Sequence, residues 1–246
     1  MPINVYELNL AGHRIRYAFR RARTKRYFAP LLHRSKSESW DILLTDQQLQ
    51  EQLSRLPAGY SEGYAEYYGL LVPTAHFLEE RGCCVFHAVS MVVEGRCWLL
   101  SAPSGTGKTT QYLNWSRLHP GEAEMLSGDM PILEQREDGV WVHPSPWNGK
   151  ERFRGFQSAP LAGIVFLRQG GENRLERISQ AESILPMFRQ LAGLPVTEEQ
   201  TRRVCGLFDS ALRQAELWQF TNLGDDASTE MLRQMIRRER KEDGRV

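Results

Sequence analysis

The sequence predicts an α/β fold, with a mixed β-sheet built around a phosphate-binding loop and a β-rich extension in front of it. Three observations carry that prediction. The run Ala102-Pro103-Ser104-Gly105-Thr106-Gly107-Lys108-Thr109-Thr110 follows a short apolar stretch, Cys97-Trp98-Leu99-Leu100-Ser101. It leads into a segment free of Gly and Pro from Gln111 to Trp115. Strand, glycine loop, helix is the context in which such a loop binds phosphate. Leu161 to Leu167 is a near-continuous apolar run, as a strand buried on both faces requires. The first part of the chain carries short alternating runs, which read as strands with one buried face.

The loop reads A-x-x-x-x-G-K-T, with Ala102 in place of the usual first glycine. Gly105 and Gly107 let backbone N–H groups turn inward, and the following helix adds the partial positive charge of its N-terminus. Lys108 is placed to reach the β- and γ-phosphates of a nucleotide, and the Thr109 hydroxyl to sit on Mg2+. Ser104, Gly105, Thr106, Gly107, Lys108, Thr109 and Thr110 are therefore the candidate ligands for ATP. The plainer alternative is a glycine-rich turn with an incidental lysine. The flanking strand and helix argue against it.

With 246 residues the chain could hold one large α/β domain or two small ones. An apolar share of 41% and six Trp supply a core. The formal net charge of +1 argues neither for nor against a nucleic-acid partner. No apolar run has the length of a membrane-spanning helix, and Met1-Pro2-Ile3-Asn4 does not open a secretory leader. The expectation is a soluble, cytoplasmic protein without a membrane partner. Cys83, Cys84, Cys97 and Cys205 form no C-x-x-C pair. They read as reduced thiols, three of them in apolar runs.

The elements follow in order. Val5 to Leu10 and Ile15 to Phe19 alternate, and Trp40 to Leu44 is a third short run. A short helix is expected from Asp46 to Leu56, and a longer one from Glu62 to Arg81, kinked at Pro73. Val85 to Val93 and Arg96 to Ser101 suggest a hairpin about Glu94-Gly95. The loop helix runs from Lys108 to about Leu118. Glu124 to Leu126 is a strand that ends at Ser127-Gly128-Asp129. Pro131 to Gln135 and Val140 to His143 pair around Glu137-Asp138-Gly139. After the apolar strand at Leu161, Arg174 to Ile178 is another. Ser179-x-x-Glu182 and Thr197-x-x-Gln200 read as capping boxes that open two helices. Leu217 to Leu223 is the last strand. Asp225 or Asp226 caps a terminal helix toward Arg237, with a frayed tail beyond.

The loop lies far from the N-terminus, and no N-K-x-D guanine motif follows it; Asn148-Gly149-Lys150 is followed by Glu151. Leu126-Ser127-Gly128 is part of the transporter-ATPase signature, but it stands too close to the loop and lacks the rest. Five stretches fall in one order: Phe86-His87-Ala88-Val89-Ser90, Ser101 to Thr110, Leu126-Ser127-Gly128-Asp129, Ser145-Pro146-Trp147-Asn148-Gly149-Lys150, and Pro160 to Leu167. Together they resemble the HPr serine kinase/phosphorylase superfamily, related to phosphoenolpyruvate carboxykinases, and within it the short stand-alone bacterial proteins. The resemblance covers about residues 82 to 240 and divides the chain into an extension, 1–81, and a kinase-like P-loop domain, 82–246.

The resemblance implies roles. His87 matches a histidine on the strand before the loop, near the transferred phosphate. Asp129 matches the second acid of an Asp-Asp pair that holds Mg2+ and acts as base toward a serine hydroxyl; the first acid is Gly128 here. The resemblance also implies a possible homo-oligomer; phosphorylase activity is not expected, because no counterpart of the long C-terminal regulatory helices of the full-length bifunctional enzymes is read in this sequence. Lys150 follows a tight turn that could aim its ammonium at phosphate, or it belongs to an exposed basic loop with Arg152 and Arg154. Trp147 reads as packing beneath that turn.

The leading expectation is an ATP- and Mg2+-dependent phosphotransferase acting on a hydroxyl, with Asp129, His87 and Lys150 as catalytic candidates and Thr109 and Asp129 as metal ligands. Its acceptor is a serine of a peptide or small protein. Alternatives are a catalytically weak nucleotide-sensing module and a kinase of free serine or another small alcohol. A third, an NTPase on nucleic acid, rests on the basic stretch His13 to Arg26, which reads better as a solvated edge.

Overall fold

The computed structural model describes residues 4–29, 31–149, 155 and 157–243. Strands β1 (Asn4–Leu10) and β2 (His13–Phe19) form an antiparallel hairpin, register Val5↔Ala18 through Leu10↔His13. Their alternation puts Leu8, Leu10, Ile15, Tyr17 and Phe19 into one buried cluster. A single-turn helix α1 (Lys25–Phe28) follows, and β3 (His33–Arg34) pairs with β1. The third strand expected at Trp40–Leu44 is absent. That segment meets β2 at one bridge, Ile42 to Tyr17. Asp41 instead takes the Arg16 backbone N–H and, at 2.9 Å, its guanidinium. Thr45 then caps the next helix, which leaves no residues to extend a ladder.

Helix α2 (Asp46–Arg55) opens with a complete capping box, Thr45 with Gln48. The helix expected over Glu62–Arg81 is two helices, α3 (Glu62–Gly69) and α4 (Leu71–Glu79). The break falls at Leu70, not at Pro73. Pro73 lies in the first turn of α4, where its missing N–H removes no intrahelical bond. Gly69 sits at the break because a Cβ there would lie 2.7 Å from Leu44 Cδ1.

The last residue of α4 gives a testable consequence. Glu79 is buried and both carboxylate oxygens lack a hydrogen-bond partner. Burial pushes its pKa up from 4.5 to about 7. The native protein therefore holds this proton more tightly than the unfolded chain, and stability falls as pH rises from 4.5 through 7. At about 1.36 kcal/mol per pKa unit, Glu79→Gln is expected to stabilise by up to ~3 kcal/mol above pH 7, with the gain vanishing toward pH 4. Urea midpoints across that range check it; a difference independent of pH contradicts the assignment.

The rest of the chain builds a nine-stranded mixed sheet. Its elements in order are β4 (Cys83–Val85), β5 (Ala88–Val93), β6 (Arg96–Ser101), α5 (Lys108–Leu118), β7 (Ala123–Ser127), β8 (Ile132–Arg136), β9 (Gly139–His143), β10 (Ala159–Gln169), β11 (Arg174–Arg177), α6 (Gln180–Phe188), α7 (Glu198–Gln214), β12 (Glu216–Asn222) and α8 (Asp226–Asp243). Strand order is β4-β8-β9-β10-β6-β5-β7, with β12 also parallel to β10 and β11 antiparallel to β12. The apolar run at Leu161 is central, as expected. It packs on both faces: Ile164 and Phe166 join one cluster with α7, while Val165 and Leu167 join another with Trp115 of α5 and Leu232 of α8. Both capping boxes, Ser179 with Glu182 and Thr197 with Gln200, are formed. Asp225 Oδ1 accepts the Ser228 N–H at 2.8 Å, and α8 continues past Arg237 to Asp243.

One correction bears on the site. The expected strand Val85–Val93 is broken at Phe86-His87. Val85 ends β4, which pairs with β8, and Ala88 starts β5, which pairs with β6 and β7. Between them the backbone N–H groups go elsewhere: Phe86 to Pro131 O, His87 to Gln190 O and Ala88 to Asp129 O. His87 thus sits at a change of strand partner and not inside a strand. Residues 1–81 and 82–246 share a core. Leu8, Phe28 and Leu70 are in one cluster with Cys83, Val85, Ile132 and Trp147.

Candidate functional site

The glycine loop leaves the end of β6, a strand held between β10 and β5. Gly105 has φ +80° and Gly107 φ +101°, a region that a side chain rarely adopts, and open space lies where a Cβ would be. Gly107 is the residue from which α5 starts. Helix α5 is fixed from behind: the buried Gln111 amide donates to Asn222 Oδ1 (3.2 Å) and Ser228 Oγ (2.8 Å) and accepts from Thr229 Oγ1 (2.9 Å). The N-terminus of α5 is therefore held by β12 and α8.

Lys108, the first residue of α5, is only 7% exposed. Its Nζ donates to Ala102 O (2.7 Å) and Pro103 O (3.2 Å) and lies 3.1 Å from His87 Nε2. Burial lowers its pKa from the ordinary 10.5, and the Asp129 carboxylate acts the other way. The same His87 nitrogen lies 3.2 Å from Asp129 Oδ1, while His87 Nδ1 lies 3.0 Å from Gln190 Oε1. An amide oxygen only accepts, so Nδ1 carries a hydrogen. Neutral His87 then takes a hydrogen bond from Lys108; protonated His87 donates to Asp129. Lysine, histidine and aspartate thus form one chain of contacts.

These groups border one cleft of about 370 Å³. From the loop it is lined by Ser104, Gly105, Gly107, Lys108, Thr109 and Thr110, and from the neighbouring segments by His87, Gly128 and Asp129. Thr109 and Asp129 on one cleft supply the oxygen ligands that a hard cation prefers. The Thr106 hydroxyl folds back onto Pro103 O (2.8 Å) and braces the loop. Lys150, Arg152 and Arg154 lie outside the described residues; Gly149 is on the cleft wall. The turn before Gly149 is pinned by Ser127 Oγ to Asn148 Oδ1 (3.2 Å) and Asn148 Nδ2 to Ser145 O (2.7 Å). Trp147 is 1% exposed, and its indole N–H donates to Tyr67 O (2.9 Å), so it packs beneath the turn.

Sequence reasoning missed one wall of the cleft, Tyr64 and Tyr68. Both lie on α3, with Tyr67 between them in register: positions i, i+3 and i+4 share a helix face. That spacing was the available signal, although apolar residues so spaced are also what an ordinary core-facing helix shows. Burial and then the Asp129 charge raise the Tyr68 pKa, so its hydroxyl stays neutral.

Among the described residues, three of the seven cations in the basic stretch His13 to Arg26 are in ion pairs. Besides Arg16 with Asp41, Arg20 pairs with Asp46 (3.1 Å) and Arg21 with Glu62 (2.6 Å). Elsewhere, ligand atoms of His13, Cys83 and Glu134 come within 4.8 Å of one another. Glu134 is already paired there with Arg136 and His143, and burial keeps the Cys83 thiol protonated. Among the described residues no helix is long and apolar enough to cross a membrane.

No protein-family model matches the chain, and no curated protein matches its sequence. Among solved structures, it is similar to the Hpr(Ser) kinase/phosphatase from Coxiella burnetii. Identity is 13% and the TM-score 0.27, over 52% of this chain and 88% of that one. That structure is a weak neighbour.

Proposed function

We propose that the chain is an ATP- and Mg2+-dependent phosphotransferase whose acceptor is a hydroxyl, the serine of a peptide or small protein. The observation that carries this reading is the contact chain Lys108–His87–Asp129 at the mouth of a glycine loop. A buried cation, the N–H groups at the start of α5 and a carboxylate face the same cleft. That pairing suits a phosphoryl group on one side and a hydroxyl on the other.

The fit to the nucleotide and the metal rests on Lys108. Its Nζ is largely buried and donates to two loop carbonyls, and among the described residues no ion pair is formed with it, so a phosphate oxygen is the partner that it fits. The loop N–H groups, Lys108 and Thr110 would hold the phosphates, and Thr109 and Asp129 the metal. A bound nucleotide would supply the phosphoryl group, its bond to the ADP oxygen breaking as the serine oxygen–phosphorus bond forms, and a metal held there would offset charge on the phosphate oxygens. Asp129 accepts the hydroxyl proton. The Nε2 lone pair of neutral His87, 3.2 Å from Asp129 Oδ1, can accept a hydrogen bond from the carboxyl group so formed. Residues 82–246 would make up the kinase-like unit, with residues 1–81 serving the acceptor side.

A second reading, a nucleotide-sensing module with little turnover, is favoured by Gly128. One carboxylate then serves both metal and hydroxyl. Incubation of the purified protein with γ-labelled ATP, Mg2+, serine peptides and free serine separates the readings. Label on a peptide hydroxyl, abolished by EDTA, is the expected result. Label on free serine alone would indicate a small-alcohol kinase, and tight ATP binding with no transfer would indicate the sensing module.

A further inference from the structure

A second cavity of about 300 Å³ opens beside the cleft, lined chiefly by tyrosines: Tyr27, Tyr60, Tyr64, Tyr67 and Tyr68. Tyr64, Tyr68 and Gly149 line both spaces, so the two adjoin across shared walls. We propose that this tyrosine cavity is the acceptor subsite, taking an aromatic or other large apolar side chain of a peptide whose serine lies a few residues away at Asp129. The proposal rests on the phosphotransferase reading and adds the substrate's recognition element.

Position argues for the acceptor over the nucleotide base. No residue of the glycine loop lines the tyrosine cavity. The cavity shares Tyr64, Tyr68 and Gly149 with the cleft that Asp129 lines, and the Asp129 charge is felt by Tyr64, Tyr67 and Tyr68. Asp129 is the group that takes the acceptor's proton, so a chain segment leaving Asp129 away from the loop enters the tyrosines. Size argues for a peptide over free serine. The cavity alone is as large as sites that enclose small organic ligands, and a serine hydroxyl at Asp129 would leave it empty.

Chemistry identifies the side chain. The rings are already arranged as faces and edges: Tyr27 stacks on Tyr67 at 4.9 Å, and Tyr60 meets Tyr64 at 4.7 Å. Tyr60 is 41% exposed. An exposed aromatic on a rim of neutral phenols attracts an apolar or aromatic guest with a polar edge. A nucleic-acid strand would need a track of cations beside its stacking platform. Here Arg26 is the only cation on the cavity wall among the described residues.

The test uses the full chain with ATP and Mg2+ and short glycine-rich peptides that carry one serine. Each position around the serine is varied through Gly, Glu, Lys, Leu, Phe and Trp. Phe, Trp or Leu at one or two positions is expected to raise kcat/KM by about tenfold or more over Gly, since tenfold is only about 1.4 kcal/mol of buried apolar contact. Tyr60→Ser and Tyr64→Ser should bring that ratio close to one, mainly through KM for the peptide. Tyr60 is exposed, so its variant keeps the test open if the Tyr64 variant does not fold. Transfer without side-chain preference, preference untouched in both variants, or free serine or an oligonucleotide used as well as the best peptide each overturns the subsite. A fluorescent ATP analogue titrated in parallel keeps the two claims apart. Binding without peptide selectivity sinks the subsite alone; no binding sinks the phosphotransferase reading beneath it.

Discussion

Asp129→Asn is expected to lower phosphotransfer to a peptide hydroxyl by about 10²–10⁴-fold, the range over which a positioned general base acts. The substitution is nearly isosteric, so the cleft should keep its shape. What changes is charge and proton affinity. An amide cannot take the hydroxyl proton, and it is a poorer ligand for a hard cation. With Gly128 beside it, no neighbouring acid in the sequence stands ready to substitute. His87, 3.2 Å away, should couple to this loss. Asp129→Asn and His87→Gln are expected to be non-additive, the double variant scarcely worse than Asp129→Asn alone, because residues in one contact chain act as a unit. Single-turnover transfer measured at saturating Mg2+ checks both. Full transfer by Asp129→Asn would remove the base assignment and shift weight to the sensing module.

Local patterns carried most of the fold. The capping boxes at Ser179 and Thr197, the apolar run at Leu161 and the loop between β6 and α5 are each specified by a few adjacent residues. They stand where the sequence reading put them. Misreadings came where tertiary partners decide. The run Val85–Val93 has continuous β-propensity, yet Pro131 O, Gln190 O and Asp129 O take its N–H groups one after another and split it. Pro73 looked like a kink, but a proline in the first turn of a helix removes no bond, and the break falls at Leu70, next to Gly69, where the chain packs close to Leu44. The tyrosine wall was illegible for a related reason. Its spacing is that of any buried helix face, and only folding reveals that Tyr64 and Tyr68 border the cleft.

Lys108→Met should separate function from folding more sharply than any other single change. Loss of the ammonium is expected to lower transfer by about 10²–10³-fold, as removal of one preorganised charge-stabilising group commonly does. It should also abolish nucleotide-linked stabilisation, which for the wild type reaches about 2.7 kcal/mol at a hundredfold excess of ATP over Kd. The nucleotide-free variant should not lose stability in proportion. Burial holds the Lys108 pKa below 10.5, so the native state disfavours the charged form relative to the unfolded chain. That penalty is present at neutral pH and disappears as pH rises from the native value to 10.5, so wild-type stability gains there relative to the variant. A methionine of similar length fills the space without the charge. The expected pattern is therefore a variant at least as stable as wild type near pH 7 without ATP, with the advantage shrinking toward pH 10 and no response to ATP at any pH. Thermal melts with and without ATP across that range decide it. A variant that still melts higher with ATP would mean that the loop N–H groups hold the nucleotide without Lys108. A variant that unfolds far below wild type at neutral pH would mean that the bonds from Nζ to Ala102 O and Pro103 O outweigh the burial of the charge.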